Sequence, residues 1–235
     1  MEHLPFLSFE EIGARSIAII APHPDDESLG CGGLIRAARD RGVPVCIIIL
    51  SDGTGSHPGS PSYPPERLKT LRETEARLAA SALGVPSDNV HFLRLPDRFV
   101  PGDGPAAEAV VEILVKILRL TESDFIAVTW DEDPHCDHKA AAALARAACA
   151  ALPARLFAYP IWGRTLSPDA PVTAVTRKGF RLRIDNELPA KRAAISAHLS
   201  QTTDLIADDP NGFRLTPDLL ALFEVPYEIY VEQGA

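Results

Sequence analysis

The chain contains no run near the ~20 consecutive apolar residues that cross a bilayer, so no membrane insertion is expected. It also lacks a basic block, and its net charge is -9. That balance argues against nucleic acid or an anionic membrane surface as the main partner. Cysteine is scarce: Cys31, Cys46, Cys136 and Cys149 are scattered and form no C-x-x-C. This excludes a disulfide framework and a thiolate-built zinc site, and suggests a reduced, cytoplasmic protein. The segment Met1–Glu11 carries acids and has no apolar core of signal-peptide length. Internal repeats, low-complexity tracts and interdomain linkers are missing as well. One domain over residues 1–235 is therefore expected. The composition, 46% hydrophobic and 23% charged, is ordinary for a globular chain. It allows a homo-oligomer without requiring one.

What is present is concentrated in two stretches. The first is Ile17–Gly33, I-A-I-I-A-P-H-P-D-D-E-S-L-G-C-G-G. Ile17–Ala21 looks like a buried strand, broken at Pro22 by His23, Pro24, Asp25, Asp26 and Glu27. Gly30, Gly32 and Gly33 follow, then a helix-like stretch, Leu34–Arg41. A strand, an acidic turn and a helix start mark where open α/β sheets place their sites. Three carboxylates and an imidazole in five residues repel one another unless something positive sits among them. A divalent cation is the simplest candidate. His23 and Asp26 offer a nitrogen and an oxygen ligand, with Asp25 left beside the metal.

Val45–Leu50 is a second apolar run, and Gly42 suits the end of the intervening helix. Both runs lack alternation, as parallel strands covered on both faces do. Ser51–Pro65 is a loop by composition, and its His57 is left without a role. Pro65–Leu83 reads as a helix with Leu68, Leu71, Leu78 and Ala82 on one face. Arg72 and Glu75 are three apart and placed to pair on its surface. Val90–Leu93, Phe125–Thr129 and Leu156–Tyr159 read as further strands, and Tyr227–Val231 as a final edge strand. Ala106–Leu120 and Leu188–Gln201 read as helices, and Thr173–Ile184 as an antiparallel excursion.

The second dense stretch is Trp130–His138, W-D-E-D-P-H-C-D-H. Asp133 suits a helix N-cap and Pro134 the first helical position. His135 and His138, three apart, share a helical face beside Asp137 and resemble half of a metal site.

These residues resemble the LmbE-like, or PIG-L, N-acetylglucosaminyl deacetylases. Pro22 to Glu27 is similar to their A-H-P-D-D-E motif, and His135 to His138 to their H-P-D-H motif. Pro22 and Cys136 depart from the pattern. Smaller matches are Ser51-Asp52-Gly53, Arg72 with Glu75, Leu95-Pro96-Asp97, and Lys191 through His198 to Gln201. The resemblance implies a Rossmann-like, mostly parallel sheet with helices on both faces and a catalytic Zn2+. It also implies removal of an N-acyl group from an amino sugar or its glycoside. Residue by residue it implies His23, Asp26 and His138 as metal ligands, Asp25 as general base and His135 as oxyanion stabiliser or acid. Asp137 would hold His135, and Arg72, Asp52 and His198 would contact substrate.

The chemistry agrees. Two histidines and one carboxylate leave a fourth zinc position open, though the same set also accepts Fe2+. Asp25 is adjacent to a ligand but free, so it fits the base. Asp137 beside His135 would favour the protonated imidazole. Three rival readings remain. One is an amidase for a thiol–sugar conjugate. Another is a non-catalytic sugar- or nucleotide-binding module, suggested by the glycines at a helix start. The third is a protein with a purely structural metal.

Overall fold

The computed structural model describes residues 3–166 and 178–233. Its strands are β1 (Phe6–Leu7), β2 (Ile17–Ala21), β3 (Val45–Ser51), β4 (Val90–Leu95), β5 (Phe125–Thr129), β6 (Arg155–Tyr159), β7 (Gly179–Arg183) and β8 (Tyr227–Glu232). Its helices are α1 (Phe9–Ile12), α2 (Asp26–Asp40), α3 (Pro65–Ala82), α4 (Gly104–Leu120), α5 (Cys136–Cys149), α6 (Leu188–Ala197), α7 (Leu199–Thr202) and α8 (Pro217–Ala221). No helix among the described residues is long and apolar enough to cross a membrane.

The central strands are buried along their whole length. Their side chains divide by the two-residue period of a strand. Ile17, Ile19, Val45, Ile47, Phe125 and Ala127 join one core with α2, α3 and α6. Ala18, Ile20, Cys46, Ile48, Ile126 and Val128 join the other with α4 and α5. Helices therefore cover both faces, which is why these strands carry no polar alternation.

The strand order is β1-β7-β8-β6-β5-β2-β3-β4. From β2 the chain builds β3 and β4 on one side, then crosses to β5 and β6 on the other. β2 lies between β3 and β5 with parallel register, Ile17 opposite both Val45 and Phe125. The carboxyl ends of β2 and β5 thus flank the point where the winding reverses, and a crevice opens there.

Four local expectations are corrected. The run Tyr227–Val231 is not an edge strand: β8 is antiparallel between β6 and β7, with Tyr230 fully buried. Gly30, Gly32 and Gly33 are not a phosphate turn but lie inside α2, which starts at Asp26. A Cβ on Gly30 would lie 2.2 Å from the Tyr159 ring, and one on Gly33 would lie 2.4 Å from Ile184. The glycines let α2 lie close to its neighbours, which removes the ground for a nucleotide site. On α3 the buried face is Leu68, Arg72, Glu75, Ala76, Ala79 and Ala80, whereas Leu78 is exposed. Polar groups beneath the helix draw the charged pair inward. The helix expected over Leu188–Gln201 breaks at His198, where ψ is 62°, into α6 and α7. Of the expected excursion, residues 173–177 lie outside the described residues, while β7 pairs antiparallel with β8.

Candidate active site

After β2 the chain turns sharply, and Asp25 adopts φ 147°, a region L residues rarely visit. Such strain persists only where the surroundings enforce it. Arg72 of α3 does so: Nη2 donates to Pro24 O at 2.7 Å and to Asp25 Oδ2 at 3.1 Å, and Nη1 donates to Gly53 O at 2.7 Å. Both side chains are buried. Burial pushes the Asp25 carboxyl up, Arg72 opposes and Asp26 adds to the rise, leaving it at about 6.

Asp26, the first residue of α2, turns Oδ2 toward two imidazoles. His23 Nδ1 lies 3.2 Å away and His138 Nε2 3.4 Å away. The outer nitrogens fix the tautomers, which are assigned here from the network. His23 Nε2 sits between Asp137 Oδ2 at 3.2 Å and Asp97 Oδ1 at 3.3 Å, so it carries hydrogen. His138 Nδ1 lies 2.9 Å from Asp133 Oδ2 and donates to it. In the neutral rings the inner nitrogens then carry lone pairs. These face a carboxylate oxygen, and the buried Nε2 of His138 has no hydrogen-bond partner among the described residues. A cation held by His23 Nδ1, His138 Nε2 and Asp26 Oδ2 would balance the surrounding carboxylates, and this nitrogen and oxygen set fits a divalent ion. The alternative is a second proton on each ring. Burial opposes it, but the neighbouring carboxylates prevail and raise both imidazoles. Burial also opposes charge on Asp26, and His138 with His23 outweighs it, holding this carboxyl well below the usual range.

Asp133 was expected as an N-cap. The helix begins at Cys136 instead, with His135 as its cap: the ring Nδ1 accepts from Asp137 N at 3.2 Å. Asp133 is fully buried and accepts backbone N–H groups from Ile161 (3.0 Å), Trp162 (3.2 Å) and Gly163 (2.6 Å) while holding His138. Asp97, in the sequence only the end of a smaller family match, orients His23 and accepts from Gly55 N at 2.9 Å. Neither role is visible locally; the only hint is the density of acids around each histidine.

The carboxylate of Asp137 does not hold His135. It bonds His23 and accepts from Arg98 N at 2.7 Å and Val100 N at 3.2 Å. Nor is His135 kept protonated: burial, then His23 and His138, push it down to about 4, against Asp26 and Asp137. Two of the three expected substrate contacts stand behind the pocket wall. Asp52 accepts from Thr54 N at 3.0 Å and Thr54 Oγ1 at 2.9 Å, shaping its own turn. His198 is buried, with Nε2 3.1 Å from Glu27 Oε1. Neither lines the cavity. Arg72 does, but its guanidinium already holds Asp25 and two carbonyls. Glu75, its supposed surface partner, instead accepts from Ser200 N and Oγ, at 2.7 and 2.6 Å.

A cavity of about 420 Å3 opens over these groups. His23, Asp25, Asp26 and His135 form its polar floor, and Leu29, Ile161, Trp162, Phe213 and Leu215 its apolar wall. Its size suits a small organic ligand. The loops after β3 and β6 and the segment before α8 all contribute.

Residues 18–149 match the family model described as PIG-L: GlcNAc-PI de-N-acetylase. The chain belongs to the PIG-L family. All three nitrogen and oxygen donors, with Asp25, Asp97, Asp133 and His135, fall inside the matched residues, whereas Trp162, Gln201 and Phe213 fall outside. A probable N-acetyl-alpha-D-glucosaminyl L-malate deacetylase 2 of Bacillus anthracis is 26% identical over 92% of this chain and 95% of its own length. The diacetylchitobiose deacetylase of Thermococcus kodakarensis is 31% identical over 43% of this chain, and the match spans only 37% of that protein. Among solved structures, the N,N'-diacetylchitobiose deacetylase from Pyrococcus horikoshii superposes with a TM-score of 0.71. It covers 94% of this chain and 84% of that one at 24% identity, a likeness of fold.

Proposed function

We propose that this PIG-L family member is a metal-dependent deacetylase that hydrolyses the N-acetyl group of an amino sugar or its glycoside. One observation carries the reading. His23 Nδ1, His138 Nε2 and Asp26 Oδ2 converge beside a second carboxylate, Asp25, which no ligand role claims. Family membership and the near full-length likeness to a glucosaminyl malate deacetylase support the substrate class.

His23, Asp26 and His138 would hold the cation, with zinc the first choice and ferrous iron compatible with the same donors. When bound, the ion supplies Lewis-acid activation of water and of the amide carbonyl. Asp25 takes the proton from the attacking water. Its carboxyl near neutrality suits that exchange, because a base is most effective when its pKa lies near the working pH. Arg72 fixes its direction. His135 has Nδ1 engaged by a backbone N–H, so its neutral ring offers Nε2–H to the developing oxyanion. A preorganised donor of this kind is worth ~2.7–4 kcal/mol in the transition state. Asp25, once protonated, returns the proton to the departing amine. A protein that merely held a sugar would gain nothing from a strained buried carboxylate next to a cation site.

The four free thiols fit a reducing, cytoplasmic location. The test is direct: load the protein with zinc and measure acetate release from N-acetylglucosamine, its malate glycoside and N,N'-diacetylchitobiose. Release from at least one is expected. No release from any, with one equivalent of metal bound, overturns the reading.

A further inference from the structure

Gln201 lies beyond residues 18–149, the span of the family model, and has no part in the chemistry above. Its side chain is fully buried, yet it lines the cavity. Both of its hydrogen bonds use Nε2, to Ser200 Oγ at 3.0 Å and Ser56 Oγ at 3.4 Å. Oε1 has no partner.

The neighbouring hydroxyls set which end of the amide faces them. A hydroxyl has one proton to give. Ser200 gives its proton to Glu75 Oε2 at 2.6 Å, a short, charge-assisted bond. Ser56 donates to Gly53 O at 3.2 Å and also lies 3.1 Å from His57 Nδ1. Neither hydroxyl is left with a proton for a flipped carbonyl, so both act as acceptors toward Gln201. The amide is locked with Nε2 on the serines and Oε1 as a bare acceptor.

The surroundings say what it would accept from. Leu215 N donates to Gln201 O at 2.8 Å and Phe213 N to Ser56 O at 2.7 Å, so the apolar wall is tied to this same corner. Phe213 and Trp162 meet edge to face with centroids 5.7 Å apart. An acceptor next to aromatic surface matches a pyranose, which presents a hydroxyl beside an apolar C–H face. Resting on the deacetylase reading, we propose that Gln201 is a specificity-determining residue whose Oε1 accepts a hydrogen bond from one ring hydroxyl of the amino sugar. The Glu75–Ser200 pair positions it.

The test uses the zinc-loaded wild-type protein with N-acetylglucosamine and its monodeoxy analogues. One deoxy analogue should lose ~5- to 100-fold in kcat/KM, the range for leaving a buried acceptor unpaired. Gln201→Met, similar in size but without the acceptor, should lower kcat/KM for the parent sugar by a similar factor and no longer discriminate against that analogue. Metal content should not change. If the methionine variant fails to fold, Gln201→Asn, which withdraws the acceptor by one methylene, serves in its place. Equal turnover of every deoxy analogue by the wild type overturns the proposal, as does discrimination that survives in the variant. If the wild type releases no acetate at all, the deacetylase reading has failed instead. Calorimetric binding of glucosamine against its deoxy forms then tests Gln201 alone, and equal affinities overturn its role.

Discussion

His138 Nδ1 lies 2.9 Å from Asp133 Oδ2, and neither side chain is exposed to solvent. The contact turns the other nitrogen of the ring toward Asp26, where it would offer its lone pair to a bound cation. Outer carboxylates of this kind typically contribute ~10- to 100-fold in metal affinity. Asp133→Asn should weaken zinc binding by that order, measured by competition with a chromophoric chelator. Excess zinc should restore most activity. Unchanged affinity would mean that Asp133 serves only the three backbone N–H groups.

The adjacent aspartates should separate cleanly. Asp26→Asn removes charge from the cation site, so metal affinity should fall and added zinc should partly rescue turnover. Asp25→Asn leaves the three donors intact. Metal content should stay near wild type while kcat drops ~10²- to 10⁴-fold, the usual contribution of a general base. Zinc should not rescue it. Metal loss by the Asp25 variant alone would reverse the two roles.

Arg72→Met should lower kcat without emptying the metal site, because it removes what orients Asp25. It also takes the guanidinium from a buried carboxylate and from Pro24 O, while Gly53 O keeps only Ser56. Breaking one side of a buried pair typically costs ~3–5 kcal/mol, so the melting temperature should fall sharply. Arg72→Lys should rescue poorly, since one ammonium cannot match the geometry of the guanidinium fork. Full activity in either variant would refute the orienting role.

Gly30→Ala should destabilise the protein, although alanine is ~1 kcal/mol better than glycine in a helix interior. The new Cβ would meet the Tyr159 ring at 2.2 Å, and that ring is held by its hydroxyl, which donates to Ile20 O at 3.0 Å. Overpacking of this kind costs ~1–3 kcal/mol. A raised melting temperature would contradict the packing.

Cys136→Pro should fold and retain activity. Cys136 is the first residue of α5, where proline is favoured, and its exposed thiol makes only 3.7 Å contacts with Arg98 O and Asp137 Oδ1. Loss of metal or of activity in this variant would give the thiol a role it lacks here.

The parallel core, the strand ends that carry chemistry and the residue types that meet there are legible in the order of amino acids alone. These are local properties: an unbroken apolar run, and a histidine three residues from an aspartate at a strand–helix turn. The partners of those groups emerge with the fold. Asp97 and Asp137 reach His23 across 74 and 114 residues, and Arg72 reaches Asp25 across 47. The fold likewise moved Asp52 and His198 off the cavity, turned three glycines from a phosphate loop into a packing surface, and put β8 inside the sheet. The physical reason is the same in each case. A carboxylate, a glycine or an apolar run has several equivalent uses in a sequence. Desolvation and packing, which exist only once distant segments meet, leave it one.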